Sequence, residues 1–148
     1  MRNRVRFRSS EFTPPDIEPG QVDIERYGYA LATWVAKRLT ERGFEVDFPV
    51  PDEWGWLLGV ATDGQVVHVG CGNVDGSVTE WLIWFDVAQR GLLARLLGRG
   101  AASGGPNAAY GIAAAIHSAL RASPGAEDIE WFRIGARGEE VDHAETPI

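Results

Sequence analysis

A chain of 148 residues, 45% hydrophobic and 24% charged, has the size of one domain and lies outside the low-hydrophobicity, high-charge range of disordered chains. Its net charge of −7 and isoelectric point near 4.9 argue against general binding to nucleic acid or anionic membrane, and a single cysteine, Cys71, excludes an internal disulfide framework. No apolar run approaches the ~18 residues of a membrane span, and Met1 to Arg8 does not lead into a signal-peptide core, so a cytoplasmic location is expected.

Arg2, Arg4, Arg6 and Arg8 alternate with Val5 and Phe7 in the period-two pattern of a half-buried strand, and such a band of charge suits a sheet edge. Pro14, Pro15, Pro19 and Gly20 mark an extended loop. From Asp23 to Arg42 the apolar spacing becomes helical, with Gly28, Leu31, Ala32, Val35 and Leu39 on one face, Asp23 as N-cap and Gly43 as the stop. Glu45 to Val50 reads as a short strand closed by Pro49 and Pro51.

Three strands then form an antiparallel meander over Trp54–Thr62, Gln65–Cys71 and Val78–Val87, joined through Asp63-Gly64 and Asp75-Gly76, pairs that tolerate hairpin dihedrals. In the last, Thr79, Trp81, Ile83, Phe85 and Val87 make an apolar face for helices to cover, while Val78, Glu80, Leu82, Trp84 and Asp86 make a mixed face. Residues 88–98 suit a short helix. Pro106 opens a longer one to about Ala122, with Ala109, Ile112, Ala113, Ile116 and Leu120 inward. Asp128–Ile134 is a final strand, and 135–148 an acidic, mobile tail. The expected architecture is one α+β domain over residues 1–134: an antiparallel sheet of five to six strands with two or three helices packed on one face.

Charge is distributed in blocks. Residues 44–89 hold eight acids and no base, whereas 1–8 and 90–122 each hold four arginines and no acid. Turn chemistry accounts for Asp63 and Asp75, which leaves Glu45, Asp47, Asp52, Glu53, Glu80 and Asp86 as a candidate docking field for something basic, or as ordinary solvated acids.

Candidate chemistry is sparse. His68, Cys71, His117 and His143 are scattered over strand, helix and tail, and His68 and Cys71, three apart on a strand, face opposite ways, so neither a metal site nor a cofactor is expected. Cys71 could serve as a nucleophile only if His117 reached it from the second long helix; Gly70-Cys71-Gly72 equally suits a buried, inert thiol at a bend. Asp52 and Glu53 stand beside Trp54 and Trp56. Carboxylates near indoles can do acid–base work on carbohydrate, the same group can form a protein-docking surface, and the tryptophans can simply pack on the sheet.

Tyr27-Gly28 with Leu31, Ala32 and Trp34, then Leu39 and Gly43, then Asp52-Glu53-Trp54-Gly55-Trp56, and finally Ile116-His117, Leu120, Pro124, Ile129 and Trp131 resemble a family of small bacterial α+β proteins of unassigned chemistry, over roughly residues 10–134. Acidity and architecture are also similar to immunity proteins of bacterial toxin systems. That likeness implies a domain that binds and blocks a partner; the acidic block 44–89 beside the mixed face points to a non-enzymatic domain that binds a basic protein, with Asp52, Glu53, Trp54, Trp56, Glu80, Trp84 and Asp86 as its contact residues. The alternatives are a small hydrolase using Asp52 and Glu53 or Cys71 and His117, and a sensor for an aromatic or sugar ligand near Trp54, Trp56 and Trp84.

Overall fold

The computed structural model describes residues 2–13, 28–53, 55–62, 64–86 and 105–148. Along them run β1 (Arg4–Arg8), α1 (Tyr29–Glu41), β2 (Glu45–Val46), β3 (Val50–Asp52), β4 (Gly55–Thr62), β5 (Gln65–Asn73), β6 (Glu80–Asp86), α2 (Gly105–Ala122), β7 (Glu127–Ile134) and β8 (Glu140–Ala144). All eight strands join one antiparallel sheet in the order β2-β4-β5-β6-β1-β7-β8, with β3 sharing the β2 lane against β4. The class is α+β, as the patterning implies, and the sheet is wider than five to six strands.

Period-two alternation sorts the sheet into two faces. Val5, Phe7, Trp56, Leu58, Val60, Val67, Val69, Cys71, Trp81, Ile83, Phe85 and Trp131 are buried on one side, in a single core with Leu31, Ala32, Val35 and Leu39 of α1 and Ile112, Ala113, Ile116 and Leu120 of α2. The helical stripes read from the sequence are the ones that pack. Helix α1 begins at Tyr29, behind Gly28 at φ 125°, and Gly43 at φ 92° follows its end. The Asp23 cap, the 14–20 loop and the 88–98 helix lie outside the described residues.

Two expectations are corrected. Strand β1 is not an edge: it lies between β6 and β7, pairing Arg4 with Trp84 and Phe132, and Arg6 with Leu82 and Glu130. Its arginines tolerate a central lane because they point to the face away from the helices, where Arg6 meets Glu130 at 2.8 Å and Glu140 at 2.9 Å. Nor is 135–148 a free tail. Residues 140–144 add β8 to β7, and the Arg2 amide donates to the Pro147 carbonyl at 2.8 Å. The acids that made this stretch look solvated are partners for the arginines: Asp142 meets Arg2 at 3.0 Å and Arg133 at 3.4 Å.

Candidate functional site

The stretch expected as one strand from Glu45 to Val50 is split into β2 and β3, and the break is a bulge. Val46 stands opposite Val60 and Val50 opposite Leu57, so the edge passes through three residues, 47–49, where β4 passes through two, Leu58 and Gly59. The Asp47 amide still donates to the Gly59 carbonyl at 2.9 Å, so the surplus falls on Phe48 and Pro49. Phe48 is 91% exposed.

Acids follow the same edge. Glu45 is opposite Ala61 and Asp52 opposite Gly55, on the face away from the helices, and the Asp47 carboxylate leans over Gly59, 3.1 Å from where a Cβ would stand. Glu53 comes next, its amide donating to Asp52 Oδ1 at 2.7 Å. Glu45, Asp47 and Glu53 are exposed and Asp52 is half-buried. Among the described residues none of the four makes an ion pair; the carboxylates that do are Glu41, Glu130, Glu140 and Asp142. Four carboxylates on one edge, without an ion pair among the described residues, sum to a negative field that reaches about one Debye length, ~8 Å at physiological salt. Exposed apolar surface lies within that field: Val50, opposite Leu57, is 51% exposed, and Val66, opposite Ala61, is 46% exposed.

The residues expected to bind together do not share one surface. Trp56 is corrected as a docking residue: it is 3% exposed on the helix-covered face, edge-on to Tyr29 at 4.8 Å, because it shares parity with Leu58 and Val60. Trp84 is half-buried on the opposite face, three lanes in from the acidic edge, with its indole over Gly70, where a Cβ would fall 2.0 Å from ring atoms. Glu80 stands opposite Arg8 on β1. Asp86 ends β6 and its side chain is not described; Trp54 lies outside the described residues. Beside Trp84 is a shallow depression of about 320 Å³ lined by Arg4, Gly72, Asn73, Leu82 and Trp84.

The catalytic candidates are likewise separate. Cys71 is fully buried, and burial raises its thiol pKa, which disfavours the thiolate a nucleophile needs. His117 is not bonded to Cys71: its Nδ1 accepts the Trp131 indole N–H at 3.0 Å, and burial followed by the nearby Arg121 charge lowers its pKa. Asp52 and Glu53 are sequence neighbours joined through a backbone amide, Glu53 N–H to Asp52 Oδ1. Among the described residues no three His, Cys, Asp or Glu side chains are grouped to hold a metal ion, and no helix is long and apolar enough to cross a membrane.

Sequence reasoning singled out the acids of this edge and passed over Phe48. The available signal was Pro49 directly after it, since proline cannot continue a ladder and marks a bulge or an edge. Comparison with protein-family models, with curated proteins and with solved structures finds no match to the chain.

Proposed function

We propose that the protein is a non-enzymatic binding domain that docks a basic protein on its β2–β3 edge, in the manner of an immunity-like inhibitor of a basic bacterial toxin. The observation that carries this reading is the run Glu45, Asp47, Asp52 and Glu53, without an ion pair among the described residues, around an aromatic side chain that is 91% exposed. Unpaired carboxylates raise the rate of encounter with a cationic surface, and apolar side chains beside them hold the complex once water is expelled. Exposed Phe48 and Val50 together set apolar surface among these acids, which supports a partner over simple solvation.

The test is affinity capture from the cells that make the protein, in low and in high salt, using wild type and the variant carrying Glu45→Gln, Asp47→Asn, Asp52→Asn and Glu53→Gln. A cationic protein retained by wild type in low salt, and lost both in high salt and with the variant, is the expected result. Equal capture by both proteins sinks the reading.

A second reading has one observation in its favour. The depression beside Trp84 presents an indole, the Leu82 side chain, the Gly72 backbone and Arg4 on the face away from α1 and α2, which suits a small flat ligand better than it suits hydrolysis. Saturable changes in tryptophan fluorescence with an aromatic or sugar metabolite, abolished by Trp84→Ala, are its signature; docking of a protein predicts no such response.

A further inference from the structure

The acidic edge can engage a partner in two physically different ways: by taking up an additional strand along its backbone, or by inserting a side chain into the partner. Strand addition needs a row of free backbone donors and acceptors on the outermost lane. Here that lane is interrupted. Strand β2 has two residues and β3 three, the bulge at 47–49 breaks their register, and Pro49 and Pro51 have no N–H to offer. The same bulge carries Phe48, which is exposed, and Pro49 directly after it has a fixed φ, so part of the ordering cost of binding is already met.

Resting on the docking reading above, we infer that the partner is a folded basic protein with an apolar recess ringed by lysine and arginine, into which Phe48 inserts while Glu45, Asp47, Asp52 and Glu53 pair with the ring. The edge is a knob and not a template for another strand. A phenyl ring in a desolvated pocket with charge pairs around it is the arrangement in which a single residue dominates an interface. Phe48→Ala therefore weakens the complex by at least about tenfold and leaves the thermal midpoint of the free protein unchanged, because the ring makes almost no contact within the chain.

Photo-crosslinking in the cells that make the protein separates this mode from the docking reading itself. p-Benzoylphenylalanine is placed at position 48 in one sample and at position 53 in another, and the joined peptides are identified by mass spectrometry. The inference expects both positions to capture the same cationic protein, with the position-48 link in an apolar recess flanked by lysine or arginine. Capture from position 53 alone leaves docking in place and overturns the inserted knob. A position-48 link to an edge strand of the partner, or to a second copy of this chain, overturns it as well. Capture from neither position removes the docking reading and the knob together.

Discussion

The carbonyl oxygen of Cys71 occupies the space that a side chain on Gly55 would need, 2.2 Å from the ideal Cβ position. Gly28, at the head of α1, converges on the same peptide: its Cβ would stand 2.9 Å from the Cys71 oxygen and its φ is 125°. Gly28 and Gly55 therefore meet where the first helix, β4 and β5 come together. Gly55→Ala should cost about 1–3 kcal/mol or more, as overpacking against backbone does, and Gly28→Ala should add left-handed strain to a milder clash. Gly111→Ala is the control. On the exposed side of α2 its Cβ would meet, among the described residues, Phe44 at 3.5 Å, so it should be neutral or stabilising by up to about 1 kcal/mol. Urea denaturation of the three variants checks the order.

Much of this architecture was legible in the sequence because it is written in periodicity. Alternation in Trp81, Ile83 and Phe85 and the helical stripe Ile112, Ala113, Ile116 and Leu120 each identify a buried face without knowledge of the rest of the fold. Lane order was not legible, because it is decided by partners distant in sequence. The arginines of β1 read as an edge until Glu130 and Glu140, more than 120 positions away, supply their counter-charges, and Glu140 is among the acids that made β8 look like a solvated tail. For the site, composition picked out the acidic block, of which Glu45, Asp47, Asp52 and Glu53 follow one edge while Glu80 stands on β6; parity sent Trp56 under the helices, and a one-residue bulge brought out Phe48.

The last strand is fastened by a compact group on the face away from the helices. Phe132, 1% exposed, lies between the Arg6 guanidinium at 5.0 Å and the His143 ring stacked at 5.5 Å. Deleting residues 140–148 should cost about 1.5–3 kcal/mol from uncovering Phe132 alone, read as a lowered denaturation midpoint.

Arg6 holds the Glu130 carboxyl below its ordinary value of 4.5, chiefly through their hydrogen bond. Because the folded protein binds this proton less readily than the unfolded chain, the contribution is full above pH 4.5 and fades as pH falls through the folded value. Glu130→Gln should therefore be less stable than wild type at neutral pH, with the gap closing in acid. Both side chains are partly exposed, so the gap should be no more than about 1 kcal/mol. Chemical denaturation across pH 2–7 measures it.

His117 carries a second pH dependence. The Trp131 indole donates to Nδ1, an acceptor that protonation abolishes, and the folded imidazole pKa lies below 6.5. The stability from this bond is complete above pH 6.5 and declines as pH drops through the folded value. An NMR titration should give a His117 midpoint below 6.5, with the Trp131 indole N–H resonance moving in step. A midpoint above 6.5 contradicts this account of the bond.

Cys71 should behave as a core residue. In native conditions a thiol reagent should modify it only as fast as the protein opens, and in denaturant at the rate of a free thiol. Rapid native modification would revive the nucleophile reading.

Carboxyl footprinting tests the acidic edge most directly. Carbodiimide-driven labelling is compared for the pure protein and for the protein in extract from the cells that make it, with each acid quantified by mass spectrometry. The account predicts that Glu45, Asp47, Asp52 and Glu53 become protected in extract and lose that protection in high salt, while exposed Glu139 and Glu145 label equally throughout. Unchanged labelling of the four edge carboxylates, or protection confined to Glu139 and Glu145, contradicts it.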